Sequence, residues 1–73
     1  MPSQKIRKHS ITIAGHRTSV TLEDVFWRAL REIAQTRGLS LAALIEEIDE
    51  NRQTGLSSAL RVFAMQETLK TKS

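Results

Sequence analysis

The sequence predicts an α+β fold in which an N-terminal β-hairpin is followed by three helices. Three observations predict it: polar and apolar residues alternate between positions 8 and 22, apolar residues then recur every three or four positions, and glycines or small polar residues separate these stretches. At 73 residues the chain has room for one domain, residues 1–73. Within it we expect the hairpin at residues 8–22 and helices at residues 24–37, 40–50 and 57–69.

The hairpin is predicted from the stretch SITIAGHRTSVTL, residues 10–22. A two-residue loop of Gly15 and His16 would place the glycine where the φ angle must be positive, and it would pair Ile13 with Thr18. One face of this hairpin is apolar and consists of Ile11, Ile13, Val20 and Leu22. The opposite face is polar and consists of Lys8, Ser10, Thr12, Arg17, Ser19 and Thr21.

The first two helices are predicted from apolar residues at helical spacing. In the first helix these are Phe26, Ala29, Leu30, Ile33 and Ala34. Thr21 and Asp24 have the spacing of an N-terminal cap, and Gly38 is expected to end this helix in the left-handed conformation. Ser40 is expected to cap the second helix. The apolar stripe of the second helix is Leu41, Leu44, Ile45 and Ile48. Its acidic residues, Glu46, Glu47, Asp49 and Glu50, lie off the stripe and are expected to face solvent.

A third helix is predicted after a loop at residues 51–55. Ser57 or Ser58 is expected to cap it. Its apolar positions are Leu60, Phe63, Ala64, Met65 and Leu69. We expect Trp27, the only tryptophan, to pack on this helix or on a dimer partner, because aromatic side chains commonly anchor cores and interfaces.

The residue types exclude several classes of site. The chain has no cysteine, so disulfides and thiolate metal sites are excluded. His9 and His16 are seven positions apart with no carboxylate nearby, so we expect no metal site and no cofactor. No nucleophile accompanies a base, so we do not expect an enzyme. No membrane span or secretory signal is found, and we expect a soluble, cytoplasmic protein.

Charge is distributed unevenly around a net charge of +3. Residues 1–17 carry four bases and no acid, residues 18–50 carry three bases and seven acids, and residues 51–73 carry four bases and one acid. The N-terminal segment is therefore the candidate for contact with a polyanion. A solvated basic tail is the alternative.

The small size of the chain predicts a homodimer. A chain of this length buries only about 60% of the surface that its unfolded form exposes, and an isolated two-stranded hairpin is marginal in water. Without disulfides or metals, oligomerisation is the remaining way to stabilise such a fold.

The polar side of the hairpin fits a role against nucleic acid. The major groove of B-DNA, about 12 Å wide, admits a two-stranded ribbon, in which every second side chain faces the bases. Arginine binds guanine through two hydrogen bonds, and serine or threonine binds donors or acceptors. An ordinary half-buried sheet is the alternative, because its wet face is also rich in threonine and serine.

The stretch TSVTLEDVFWRALREIAQTRGLSLAALIEEI, which begins at Thr18, resembles the ribbon-helix-helix family of bacterial DNA-binding proteins. It has a short alternating strand, a helix, a turn with glycine, a small polar residue and a second helix with an apolar stripe. In that family the strand pairs with its twin from a second subunit, and its outward residues read bases. The resemblance thus implies a ribbon-helix-helix homodimer, with an extra N-terminal strand and a third helix in this chain.

Carried onto this sequence, the resemblance implies base contacts to double-stranded DNA from Arg17, Ser19 and Thr21. It implies phosphate contacts at the start of the second helix, from Leu39, Ser40 and Leu41, where unpaired amides favour an anion. We add Lys5, Arg7 and Lys8 as phosphate contacts if the extra strands flank the groove. The dimer core is expected to consist of Val20, Leu22, Phe26, Leu30, Ile33, Leu41, Leu44, Ile45 and Ile48.

The leading hypothesis is therefore a sequence-specific DNA-binding transcriptional regulator. The alternative is a dimeric protein-interaction adaptor or an antitoxin-like module, whose partner would bind the third helix through Leu60, Phe63 and Leu69, unless these residues complete the core. The extra strand raises a geometric question for the first hypothesis. Four strands about 4.8 Å apart form a sheet too broad to enter the groove together.

Overall fold

The computed structural model describes the backbone of residues 5–72 and the side chains of residues 5–70. Two strands are followed by three helices: β1 (Ile6–Ile13), β2 (His16–Glu23), α1 (Asp24–Arg37), α2 (Leu41–Asn51) and α3 (Leu56–Lys72). The strands form one antiparallel hairpin. The predicted α+β class, a hairpin followed by three helices, is confirmed. The hairpin begins two residues before the predicted range, and α3 ends three residues beyond its predicted end.

The hairpin turn differs from the predicted one by one residue. Its two central residues are Ala14 and Gly15, with φ angles of 51° and 83°, and Ile13 pairs with His16 across it. Positive φ at both central positions is the signature of a type I′ turn, whose twist matches that of the strands. The predicted Gly15–His16 loop is therefore wrong, and its strand pairing is wrong by a shift of two residues. The predicted faces are retained, because side chains in a strand alternate with a period of two.

A long-range contact favours the observed turn. The carboxylate of Glu46, in α2, accepts a hydrogen bond from the backbone N–H of Ala14 at 3.1 Å. The two residues are 32 positions apart in sequence. A prediction from local turn preferences cannot include this interaction. Glu46 was predicted to face solvent, but its carboxylate binds the hairpin turn.

The start of α1 is stabilised by a contact from β1, which replaces the predicted cap. Strand β2 continues to Glu23, so Thr21 lies inside the strand and caps nothing. Glu23 is the N-cap residue, and its side chain makes no capping bond. Asp24 accepts a hydrogen bond from the Arg7 guanidinium at 3.0 Å, and its backbone N–H donates to the Lys5 carbonyl at 2.7 Å.

The turn between α1 and α2 follows the sequence prediction. Gly38 has a φ angle of 71° at the end of α1, and the Ser40 hydroxyl accepts a hydrogen bond from the Ala43 N–H at 3.1 Å. The predicted serine cap of α3 is wrong. This helix begins one residue earlier, and its first backbone bond runs from Ala59 to the Gly55 carbonyl.

A single core lies between the apolar side of the hairpin and the three helices. Its fully or nearly fully buried side chains are Ile11, Ile13, Val20, Leu22, Trp27, Leu30, Ala34, Leu44, Ile45, Leu60 and Ala64. The buried face of α1 is centred on Trp27 rather than on its neighbour Phe26, which is half-buried. The indole N–H of Trp27 donates to the Arg7 carbonyl at 3.1 Å, and its ring meets the His9 ring edge to face at 4.4 Å.

The residues expected to form a dimer core pack inside one chain. Five of them are buried there: Val20, Leu22, Leu30, Leu44 and Ile45. The others are half-buried and pack against the same core: Phe26, Ile33, Leu41 and Ile48. Helix α3 contributes to this closure, because Leu60 and Ala64 lie in the same core. Among the described residues, no helix has the length and apolar character needed to cross a membrane.

Candidate nucleic-acid interface

The helices cover one side of the hairpin and leave the other side open. The open side, here called the polar face, consists of Lys8, Ser10, Thr12, Arg17, Ser19 and Thr21, and all six side chains are exposed. They stand opposite one another as cross-strand pairs, Lys8 with Thr21, Ser10 with Ser19 and Thr12 with Arg17. The predicted base contacts of β2 thus lie beside three polar residues of β1.

The dimensions of the polar face follow from strand geometry. Neighbouring strands are about 4.8 Å apart, and residues on one face repeat about every 6.8 Å along a strand. Three cross-strand pairs therefore form a strip about 14 Å long and two strands wide. This width is compatible with a groove about 12 Å wide.

The two cations on the polar face have no carboxylate partner among residues 5–70, whose side chains the structure describes. Lys8 and Arg17 form no ion pair within the described residues. The arginines that do form ion pairs are Arg7 with Asp24, Arg37 with Glu67, Arg52 with Asp49 and Arg61 with Glu23. Arg28 and Arg31, on the exposed side of α1, also lack a partner among the described residues. The polar face therefore offers positive charge that the described part of the chain does not neutralise.

The single acidic residue of the two strands is held at one end of the hairpin. Glu23 accepts a hydrogen bond from the Arg61 guanidinium at 3.0 Å. Its own backbone N–H, and then the Arg61 guanidinium, lower the pKa of the Glu23 carboxyl below its usual value. Glu23 thus remains ionised and paired with α3, and it adds no unpaired negative charge beside Lys8 and Arg17.

The N-terminal cations predicted to contact phosphate occupy different places. Lys8 lies on the polar face. Arg7 pairs with Leu22 across the hairpin and is bound to Asp24, so it lies on the side of the strands that meets the helices. Lys5 precedes β1, and its carbonyl continues the hairpin ladder. Because side chains alternate along β1, Arg7 and Lys8 lie on opposite sides of the hairpin.

The start of α2 keeps three backbone amides free of bonds within the described part of the chain. The Leu39 N–H donates to the Ala34 carbonyl at 2.8 Å, so this amide is used within the chain. The Ala43 N–H is bound by the Ser40 hydroxyl. The amides of Ser40, Leu41 and Ala42 have no bond among the described residues, as is usual at the start of a helix. The predicted phosphate site at Leu39, Ser40 and Leu41 can thus donate through Ser40 and Leu41 but not through Leu39.

The three residues of the predicted partner surface on α3 differ in exposure. Leu60 is fully buried, and Phe63 packs against the core with the Arg37 guanidinium above its ring at 5.2 Å. Leu69 is exposed. Leu60 therefore completes the core, which is the alternative to an interface that the sequence left open, and Phe63 is half-buried against the same core. The apolar side chains of α3 that remain exposed are Val62, Met65 and Leu69.

Sequence reasoning placed Ser10 and Thr12 outward but did not include them among the base contacts. The same alternation applies to β1 and places Ser10 and Thr12 on the face that carries Arg17, Ser19 and Thr21. It would have been enough to include them in the prediction. The bond from Arg61 to Glu23 could not be predicted from a local pattern, because the two residues are 38 positions apart in sequence.

Comparisons with known proteins agree with this architecture. A family model described as a ribbon-helix-helix domain matches residues 6–68. Among solved structures, an uncharacterized protein from Bordetella pertussis Tohama I is similar, with a TM-score of 0.79 and 30% sequence identity over 93% of this chain. The present chain spans 59% of the length of that protein. A search of curated proteins gave no significant match. Because the family model covers residues 6–68, the protein belongs to the ribbon-helix-helix family, whose members are DNA-binding regulators.

Proposed function

We propose that this protein is a sequence-specific, DNA-binding transcriptional regulator whose polar face enters the major groove. The observation that supports this most directly is a strip of exposed serines and threonines that carries two cations, Lys8 and Arg17, without an ion-pair partner in the described part of the chain. The helices pack on the opposite side of the hairpin and do not obstruct this strip. Membership of the ribbon-helix-helix family independently favours the same function.

The residues divide into two roles. Arg17 has the donor geometry to bind guanine through two hydrogen bonds, and Ser19 and Thr21 provide weaker contacts to base edges. Lys8 lies opposite Thr21 and contributes charge near the phosphates. The free amides at the start of α2, including that of Leu41, offer a second place for a phosphate. The family also suggests a homodimer, in which a second copy would double these contacts.

The test is duplex DNA binding measured as a function of salt. Binding should weaken linearly on a log–log plot, because each phosphate contact releases bound counterions. Lys8→Ala should make that slope shallower by about 0.9 and affect all sequences similarly. Arg17→Ala should reduce discrimination between the preferred base pair and others by about 1–3 kcal/mol.

The matched control is Arg31→Ala. Arg31 is exposed and unpaired like Arg17, but it lies on α1, which packs against the apolar side of the hairpin. This variant removes the same charge without changing the polar face, so its base preference should equal that of the wild type. Equal losses of base preference in Arg31→Ala and Arg17→Ala would contradict the assignment of the polar face.

One observation favours a second candidate function, a protein-interaction module. Val62, Met65 and Leu69 follow helical spacing on α3, and each side chain is at least half exposed. If this stripe binds a protein, Met65→Asp should abolish a stoichiometric complex that the wild-type chain forms. DNA binding should be unchanged in Met65→Asp, because α3 packs on the side of the hairpin opposite to the polar face.

A further inference from the structure

We propose that Glu46 is a positioning residue for DNA recognition, because its carboxylate holds the turn of the hairpin at a fixed place relative to α2. Glu46 accepts the hydrogen bond from the Ala14 N–H, and Arg17 lies in the cross-strand pair next to the one that closes the turn. This inference rests on the proposed DNA binding and concerns what aligns Arg17 with a base. Glu46 thus contributes to the binding of a polyanion without touching it.

The first argument is the turn itself, which offers the Ala14 N–H no partner within the hairpin. In a two-residue turn the flanking residues, here Ile13 and His16, exchange the backbone bonds. The Glu46 carboxylate supplies the missing acceptor from 32 positions away, and a charged acceptor makes a strong, directional bond. Ala14 also has a φ angle of 51°, a disfavoured conformation of the kind that surrounding contacts must specify and that is concentrated at functional sites.

The second argument is that the helices hold the two ends of the hairpin differently. At the open end they bind it through polar side chains of α1 and α3, which are Asp24, Trp27, Ser57 and Arg61. At the turn, the described residues form one polar bond to a helix, that from Ala14 to Glu46. Ile13 also packs into the core beside the turn, but apolar contacts have no preferred direction. The orientation of the turn therefore depends on Glu46.

The third argument is that a tilt of the hairpin about its open end would move Arg17 far more than Thr21. Glu23, at the open end, lies about 20 Å along the strand from Arg17 and about 7 Å from Thr21. A tilt of about 5° would therefore displace Arg17 by about 2 Å and Thr21 by about 0.6 Å. A binding group must be held within about 0.5 Å of its productive position. Loss of the Glu46 bond should thus impair base reading by Arg17 first.

The fourth argument is that α2 carries both Glu46 and the free amides proposed to bind a phosphate. Leu41 is the first residue of α2, and Glu46 follows it by about 7.5 Å along the helix axis. Phosphate contacts set the register of a protein on DNA, whereas base contacts specify the sequence. The bond from Glu46 to Ala14 therefore joins the helix that sets the register to the strand that reads the base.

The test measures the affinity of each variant for duplexes that differ from a selected site at single base pairs. The base pair read by Arg17 is the one at which Arg17→Ala loses discrimination. Glu46→Ala should reduce discrimination at this base pair by about fivefold or more, and Glu46→Gln, which keeps an acceptor oxygen for the Ala14 N–H, should retain most of it. Arg17→Ala combined with Glu46→Ala should lose no more than Arg17→Ala alone, because both changes act on one base contact.

Two controls separate positioning from charge and from stability. Glu47 is exposed beside Glu46 on α2, and its carboxylate has no partner among the described side chains. Glu47→Ala therefore removes the same charge and should leave discrimination unchanged. Ala14→Gly relieves the positive φ angle of the turn, so adding it to Glu46→Ala should recover stability in urea denaturation. It should not recover discrimination, because the bond to α2 is still missing.

The outcomes separate this inference from the proposed function. Discrimination that is lost in Glu46→Ala, kept in Glu46→Gln and Glu47→Ala, and not recovered with Ala14→Gly supports the positioning role. Normal wild-type DNA binding with full discrimination in Glu46→Ala, equal losses in Glu46→Ala and Glu46→Gln, or recovery with Ala14→Gly would overturn the inference and leave the proposed function standing. A wild-type chain that binds no duplex in a salt-dependent manner, or an Arg17→Ala variant that keeps full discrimination, would overturn both.

Discussion

Ala14 is the one residue other than glycine with a positive φ angle in the described part of the chain, and it provides a test of the hairpin register. An alanine in the left-handed region costs about 1–2 kcal/mol relative to its preferred conformations. Glycine removes this cost but makes the unfolded chain more flexible, which costs about 0.4–1 kcal/mol. Ala14→Gly should therefore raise the free energy of unfolding by about 0.5–1 kcal/mol.

The substitution changes neither packing nor hydrogen bonding. The Ala14 side chain is exposed, so its removal loses no packing. The bond from the Ala14 N–H to Glu46 uses the backbone and is kept by glycine. Ala14→Asn should gain about 1 kcal/mol, because asparagine tolerates the left-handed region without the entropy cost of glycine.

The alternative register predicts the opposite sign. With Gly15 and His16 as the loop, Ala14 would be the last residue of β1 and would have a negative φ angle. Ala14→Gly would then lower the free energy of unfolding by about 0.5–1 kcal/mol, the usual cost of glycine inside a strand.

The assay is urea denaturation followed by the fluorescence of Trp27, which is fully buried against His9 of β1 and reports loss of the hairpin and the core together. A gain of about 0.5–1 kcal/mol corresponds to a rise in Tm of about 2–8 °C for a domain of this size. Gly15→Ala is the reciprocal control. No atom lies within 4 Å of an added Cβ at Gly15, so its loss of stability would come from the backbone alone. A destabilised Ala14→Gly variant would refute the observed turn.

Three further predictions concern the contacts around the hairpin. His9→Phe should raise the free energy of unfolding by about 1 kcal/mol, because the buried Nε2 of His9 has no hydrogen-bond partner in the described structure. Chemical denaturation measures this change, and a loss of stability would contradict the reasoning that Nε2 lacks a partner. Glu46→Ala should lower the free energy of unfolding by about 0.5–1.5 kcal/mol, and Glu46→Gln, which keeps an acceptor for the Ala14 N–H, should lose less. Because the pKa of Glu23 is lowered in the folded chain, its stabilising effect is present above the unfolded pKa and is lost as the pH falls through the folded pKa. Denaturation curves of Glu23→Gln should therefore depend less on pH in this acidic range than those of the wild type. An identical pH dependence would contradict the lowering of the Glu23 pKa by its backbone N–H and by Arg61.

The features that sequence could predict are those set by local periodicity. The alternation in β1 and β2 determines which side chains share a face, and this assignment depends only on whether a position is odd or even. An error of two residues in the register therefore left Arg17, Ser19 and Thr21 on the same side as Ser10 and Thr12. The glycine and serine at the turn between α1 and α2 also act through neighbouring backbone groups, and their roles were predictable for the same reason.

The features that sequence missed depend on contacts between distant residues. Trp27 and Phe26 are adjacent on α1, and helical spacing does not say which of the two is turned inward. The indole N–H decides it, because the buried Trp27 finds an acceptor in the Arg7 carbonyl, 20 positions away. The Glu46 contact with the hairpin turn and the Arg61 contact with Glu23 are of the same kind.

Helix α3 makes contacts that periodicity does not specify. A homodimer was predicted because a short chain without disulfides or metals has a marginal core and an isolated two-stranded hairpin is marginal in water, and this stays a prediction. Helix α3 adds Leu60 and Ala64 to the core, and its Ser57 and Arg61 side chains bind the end of β2. These contacts bury apolar surface of the hairpin and hold the end of β2 through the same helix. The position of the polar face relative to the core therefore depends on residues of α3 that lie more than 30 positions from β2 in sequence, which local periodicity cannot reveal.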